Sequence, residues 1–434
     1  MTATSPDSPW DKTRTIPTTR AWLSVAAAVF AVAWGGNEFT PLLVMYKQQG
    51  LPVATVDLLL FEYVLGLIPA LLIGGPLSDR YGRRPLMRPA PLLAALGSLL
   101  LAFGAACVPL LSLGRVLCGI AIGLAMAVGS SWLKELSQAP FAPRSVPGIG
   151  ARRSAMSITG GLGIGAGVAG ALAQWAPWPH SLAYLINAAL CLGAALWMNR
   201  APETASPRPN PGRLRDDLKV PAVGHRRFLR VILPLAVWLF ACAAAAFAVI
   251  PTLILPKVHG APIAFSALLT IITLGCGLAI QAVARCIDRP GSIRLPALAL
   301  LLVIIGMGLA AATSAALTIP LAVATAVVLG LSLGLGMVAG LQEIELLARP
   351  DDLAGLNAVY YAVSYLGFGY PVVMAVLHDT TGIGYPSMFA VLALVAAACL
   401  ALVARSRTTP RTTPDSVPCS GSRDRTHTLQ SPPR

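Results

Sequence analysis

Stretches of about 20 predominantly apolar residues follow one another along most of this chain, and few folds can accept them. At a helical rise of ~1.5 Å per residue, each is long enough to cross a hydrocarbon layer of ~30 Å. Twelve are read, at residues 21–46, 54–77, 88–108, 110–133, 154–176, 181–199, 228–250, 263–284, 295–316, 319–347, 355–378 and 383–405. The 434 residues are 56% hydrophobic, with a mean hydropathy of +0.72, too apolar for a soluble domain. Glycine, alanine and proline recur inside the stretches. In lipid such residues let helices approach closely or bend while backbone groups stay satisfied, so the pattern predicts an all-α helical bundle rather than a barrel. The first stretch is too long for the core of a cleavable signal peptide and is read as the first helix.

The net charge of +14 has a direction. With twelve alternating spans, 29 of the 32 Lys and Arg residues fall on one side, Lys47 and Lys257 fall on the other, and Arg115 lies inside a span. This is the positive-inside asymmetry, which places both termini and the central loop in the cytoplasm of a cell membrane protein. The basic excess thus reports orientation and calls for no nucleic-acid partner. Eight cysteines are scattered without a Cys-x-x-Cys pair, which fits small buried apolar residues better than a disulfide framework or a metal site.

The chain repeats itself. Pro41, Lys47, Gly50 and Pro52 reappear as Pro251, Lys257, Gly260 and Pro262 at a constant offset of 210, and Asp79-Arg80-x-Gly82 returns as Asp288-Arg289-x-Gly291 at 209. Two matches of nearly equal offset predict duplicated six-helix halves. The expected organisation is a cytoplasmic tail (1–20), a first half (21–199), a Pro-, Arg- and Asp-rich linker (200–227), a second half (228–405) and a disordered tail (406–434).

"GPLSDRYGRRP", with Gly75, Asp79, Arg80, Gly82, Arg83 and Arg84, resembles the loop between helices 2 and 3 of the major facilitator superfamily. "RVLCGIAIG" resembles that family's helix 4 motif through Arg115, Gly119 and Gly123, and Pro202-Glu203-Thr204 after span 6 is a weaker match. The resemblance covers residues 20–405 and implies twelve transmembrane helices in two pseudo-symmetric six-helix halves. It also implies that Asp79 faces the start of helix 11, latching the halves on the cytoplasmic side, where unpaired helix N–H groups favour an anion. Glu135, at the end of span 4, is read as the partner of Arg83 or Arg84. The alternative is that these charges only orient and solvate a loop.

Three ionisable residues lie well inside spans. Glu38, Glu62 and Arg115 all sit ~8–12 Å below the outer surface, one layer in which Arg115 is expected to meet one or both acids. Two readings stand: a proton-coupling acid held by Arg115, or a structural ion pair. Glu62 has a third, that it faces outer water. Glu343 and Glu345, near the cytoplasmic end of span 10, are read as interfacial acids paired with Arg289 or Arg294. Trp34, Asn37, Trp238, Gln342, Asn357, Tyr361 and Tyr365 are candidates to line a central cavity, since amides and aromatic rings suit an amphipathic organic substrate.

No lysine follows a glycine, so the chain carries no Gly-Lys-Ser/Thr phosphate loop and an ion or substrate gradient must drive it. The five histidines sit mostly in loops or tails and form no constellation with carboxylates or cysteines, which disfavours a membrane enzyme. Some exporters of the superfamily carry a glycine-rich helix 5 with a Gly-Pro step. Here Gly161, Gly165, Gly167 and Gly170 are present, but Ala166 stands where proline is expected. The glycines serve helix packing. The first expectation is proton-driven export of a small amphipathic compound by a monomer without a cofactor, its partners being substrate, protons and lipid. Uptake or facilitated diffusion of a metabolite is the alternative.

Overall fold

The computed structural model describes residues 20–104, 107–142, 146, 148–205, 214–287, 292–348 and 352–406, and among these every regular element is helical. The first half comprises α1 (Ala21–Gln48), α2 (Val53–Tyr81), α3 (Arg83–Phe103), α4 (Val108–Leu136), α5 (Ile149–Trp175) and α6 (Leu182–Met198). The second comprises α7 (Phe228–Lys257), α8 (Pro262–Ile287), α9 (Arg294–Ala316), α10 (Ile319–Leu347), α11 (Leu353–Thr381) and α12 (Tyr385–Ala404). Eleven are long and apolar enough to cross a membrane; α6, with 17 residues, is shorter. The copy Asp288-Arg289-x-Gly291 and residues 407–434 of the tail lie outside the described residues.

Helix pairing shows the duplication directly. In the first half α1 packs on α5, α2 on α4, and α3 on both α4 and α6; six helices later α7 packs on α11, α8 on α10, and α9 on α10 and α12. Between halves the main pairs are α5 with α8 and α2 with α11, which exchange under the same two-fold relation. The turns repeat as well. Gly50 and Gly260, at the offset of 210, adopt φ of 92° and 84°, a region that L side chains rarely enter.

Small residues set the spacing. A Cβ on Gly119 would stand 2.0 Å from the Tyr63 carbonyl oxygen, and one on Gly123 would stand 2.6 Å from that of Leu67, so α2 and α4 touch backbone to backbone. Gly330 and Gly334 do the same for α8 and α10, against Thr273 and Gly277 at 2.4 Å and 2.0 Å. These four residues form a further copy of the repeat, "GIAIG" and "GLSLG", at an offset of 211. On α5, Gly161 and Gly165 abut the α1 backbone at Phe30 and Trp34, whereas Gly167 and Gly170 face Ile271 and Ala267 of α8 across the divide between halves.

Lys47 is more than an exposed outer-loop charge. It is buried together with Asp57 of α2, its Nζ 2.6 Å from Oδ1, and also donates to Thr252 Oγ1 of α7 at 3.0 Å. Close by, Gln174 at the end of α5 donates to the Gly260 carbonyl and accepts from the Ile263 and Ala264 amides. The halves are thereby joined at the end that carries Gly50 and Gly260.

Two outcomes are expected from this packing. Gly119→Val and Gly330→Val lower the melting temperature of the purified protein, each costing about 1–3 kcal/mol or more from overpacking, while Gly193→Val, which has open space around it, leaves it unchanged. Removing one member of the buried pair, as in Asp57→Leu, strands a charge and costs about 3–5 kcal/mol, whereas Lys47→Met with Asp57→Leu recovers most of the loss. Thermal unfolding of these five variants, the single Lys47→Met variant and the wild type measures both; additive losses in the double variant would mean that the ion pair is not the source.

Candidate functional site

The centre of the molecule is organised by two prolines. Proline has no N–H, and its ring crowds the carbonyl four residues earlier. Pro41 therefore disturbs α1 at Asn37, and the helix is interrupted at Glu38 between Ala21–Asn37 and Phe39–Gln48. Its counterpart Pro251 acts on Phe247, which lies in a wide π-helical stretch, Ala245–Val249. Asn37 and Phe247 are related by the offset of 210, and both line a cavity between the halves.

The first half contributes Gly36, Asn37, Thr40, Leu60, Tyr63 and Arg115 to this cavity, with Leu162 below them. The second contributes Phe240, Phe247, Leu274, Tyr365 and Phe368. Its volume is about 40 Å³, room for one or two waters. A larger groove of about 710 Å³ lies between α3 and α6 near Leu92 and Leu196. It is shallow and apolar, and its one cation, Arg88, is bound to Asn199, so it lacks the converging polar groups of a binding site.

Of the seven cavity candidates, Asn37 and Tyr365 form part of the wall. Asn37 donates from Nδ2 to the Leu162 carbonyl at 3.1 Å and accepts from Thr40 Oγ1 at 2.7 Å. Tyr365 stacks on Phe240 with centroids 4.0 Å apart, and its hydroxyl donates to Met126 Sδ at 3.4 Å, a contact between the halves. Trp34 and Trp238 are buried away from the cavity with their Nε1 groups unpartnered. Asn357, Tyr361 and Gln342 are half-buried and also lie outside the wall.

Glu38 and Arg115 are both fully enclosed, yet the expected ion pair is absent: Arg115 pairs with neither Glu38 nor Glu62. Arg115 donates from Nε to the Leu59 carbonyl at 3.1 Å, and its guanidinium carbon lies 4.5 Å and 4.7 Å from the ring centroids of Phe39 and Tyr63. Glu38 turns toward α3 and α6 instead. Its Oε1 lies 3.1 Å from Ser98 Oγ, which is also 2.8 Å from Asn187 Oδ1, while Oε2 has no partner. The Asn187 amide is fixed by donation from Nδ2 to the Ala31 carbonyl at 2.8 Å. Glu62 is half-buried with an unpartnered Oε2 and lies outside the wall. Ser98 and Asn187 escaped the sequence reading, although a lone amide within an apolar span is a signal of buried polar function.

The "GPLSDRYGRRP" segment is mostly helix. α2 continues through Arg80 to Tyr81, Gly82 alone makes the turn with φ of 100°, and α3 starts at Arg83. A Cβ on Gly82 would stand 2.8 Å from Glu203 Oε2, because Glu203 caps α3 by accepting from the Arg83 and Arg84 amides at 2.9 Å and 2.8 Å. Arg83 binds Glu135 at 2.8 Å and Asp79 at 2.5 Å, and Thr204 adds its hydroxyl to Glu135. Arg84 reaches the Asn199 carbonyl, and the Gly75 carbonyl accepts from Ser78. The implied latch is not made here: Asp79 turns back to Arg83, one helical turn away across Gly82, and not to the start of α11. Buried Arg80 holds Asp217 of the linker at 2.7 Å.

Glu343 also has a different partner from the one expected. Arg227, just before α7, binds it with Nε at 2.5 Å and Nη2 at 3.0 Å, because the start of α7 lies beside the end of α10. Glu345 is exposed, and Arg289 lies outside the described residues.

Solved structures share this architecture. A POT family transporter in complex with a thioalcohol-conjugated peptide superposes with a TM-score of 0.71 at 13% identity, covering 90% of this chain and 97% of its own. A D-xylose–proton symporter gives 0.60 at 19% identity, covering 86% and 96%. The xylose transporter XylE from E. coli, in a partially occluded inward open conformation, gives 0.59 at 14%, covering 88% and 96%. At these identities the likeness is one of fold. No curated protein shows significant sequence similarity to the chain. The sequence model of the Major Facilitator Superfamily, however, matches residues 23–370, and with the helix pairing above this makes the chain a member of that superfamily, a membrane transporter and not an enzyme.

Proposed function

We propose that this transporter couples protons to the movement of a small amphipathic organic compound by alternating access, with Glu38 as the coupling acid. The carrying observation is hydrogen-bond counting around Ser98. Its one hydroxyl proton cannot serve both Asn187 Oδ1 at 2.8 Å and Glu38 Oε1 at 3.1 Å, since the Asn187 oxygen only accepts. A proton on Glu38 completes the network, and its loss leaves a fully buried carboxylate without an ion-pair partner. Glu38 is thus a group whose protonation must be matched to the state of the surrounding helices. It lies on the interrupted helix between Asn37 and Thr40, both of which line the cavity, so movement at the site reaches it directly. The aromatic wall and its few polar groups support an amphipathic substrate.

Glu38→Gln preserves size and removes the titrating group. In inside-out vesicles, substrate exchange is expected to persist while accumulation driven by an acidic lumen, the sign for export, is lost. Glu62→Gln keeps both activities. Full pH-driven accumulation by Glu38→Gln overturns the coupling role, and wild-type accumulation that needs an alkaline lumen reassigns the direction to uptake.

The charge asymmetry supports a plasma-membrane protein with both termini cytoplasmic. Reporter fusions at residue 215 and at the C-terminus are expected to report cytoplasm, and fusions at Gln49 and His259 the outside. An external C-terminus rejects this topology.

A further inference from the structure

Among the residues that line the central cavity, Arg115 bears the only formal charge. It is 1% exposed, its Nε is engaged by the Leu59 carbonyl, and its Nη1 has no partner. Neither Glu38 nor Glu62 forms an ion pair with it. The rings of Phe39 and Tyr63 steady the guanidinium through cation–π attraction, but a ring accepts no strong N–H bond. A buried cation with an unpartnered donor is costly unless an acceptor reaches it, and the planar guanidinium edge matches a carboxylate best.

Of the other polar side chains of the wall, Asn37 donates to the Leu162 carbonyl and accepts from Thr40, and Tyr365 donates to Met126 Sδ. Across the cavity stand flat apolar surfaces: Phe240 stacked on Tyr365 at an interplanar angle of 15°, and Phe368 stacked on Phe240 with centroids 5.3 Å apart. With one cation and no carboxylate in the wall, the electrostatics favour a single negative charge and oppose an organic cation.

We propose that the cavity, widened as the halves part in alternating access, is a binding site for an organic monocarboxylate with a flat apolar body, its carboxylate on the N–H groups of Arg115 and its body against Phe240, Tyr365 and Phe368. This deepens the functional reading above and rests on that reading's choice of the central cavity as the transport site. It gives Arg115 a role in substrate recognition separate from pairing with Glu38.

The test uses the full-length protein in detergent, with benzoate, phenylacetate and indole-3-acetate as probes beside their neutral amides and benzylamine. Binding is measured by calorimetry and by the shift in thermal unfolding. Each acid is expected to bind at least about tenfold more tightly than its amide, the effect of one charge-assisted hydrogen bond. Arg115→Gln removes that difference, Arg115→Lys retains part of it, and Phe240→Ala weakens acids and amides alike. The wild-type comparison stands by itself if a variant fails to fold. Equal binding of acids and amides, a preference for benzylamine, or no binding of any acid at millimolar concentration overturns the proposal. A protein that accumulates substrate with a pH gradient but shows no acid preference refutes this inference alone; one that prefers acids but ignores the gradient refutes the coupling reading alone.

Discussion

Hydrocarbon offers nothing to a peptide N–H or C=O, and the rest of this structure follows from that fact. Every span is helical because a helix alone among local structures pairs its backbone groups within one segment. Irregular backbone is then tolerated only where protein surrounds it. The interruption of α1 at Glu38, three residues before Pro41, and the π-helical stretch of α7 around Phe247 both lie beside the cavity between the halves. These two departures are related by the internal repeat, each standing just before one of the paired prolines Pro41 and Pro251.

The same solvent decides how helices attract one another. Lipid gives apolar side chains no reason to leave it, so close backbone approach and a few polar contacts must hold the bundle together. Gly119 and Gly123 against α2, and Gly330 and Gly334 against α8, bring each pair into main-chain contact. The polar contacts are divided by position. At one end Lys47 with Thr252, and Gln174 with the start of α8, join half to half. At the other end Arg83, Arg84, Glu135 and Glu203 knit α2, α3, α4 and the segment after α6 within a single half, and Arg227 with Glu343 does so within the other.

Much of the fold could be read from the sequence because its signals are one-dimensional. Span length, charge asymmetry and the spacing of Pro41 and Pro251 need no knowledge of what touches what. The limits appear where a side chain must choose a direction. Depth along the helix placed Glu38 and Arg115 in one layer, but rotation about each helix axis turned the acid toward Ser98 and Asn187 and the base toward Phe39 and Tyr63. Counting turns likewise could not show that Asp79 would fold back on Arg83, or that Glu343 would meet Arg227 and not a residue of the nearer loop. Lys47 was legible as a charge but not as a buried one, since its enclosure depends on α7, 205 residues away.

The separation of Glu38 from Arg115 changes what the pair of charges can do. Locked in a salt bridge, each would neutralise the other, and neither would carry an uncompensated charge toward a ligand or a proton. Apart, each retains an unpartnered atom: Oε2 on Glu38, away from the cavity, and Nη1 on Arg115, in its wall. Phe39 joins the two environments, since it follows Glu38 in the chain and its ring lies under the guanidinium. A ligand that draws Arg115 away would break its contact with Phe39, the residue next to Glu38 in the interrupted turn. The two charged groups are thus linked through one aromatic ring and one interrupted helix, with no continuous hydrogen-bonded chain between them among the described residues.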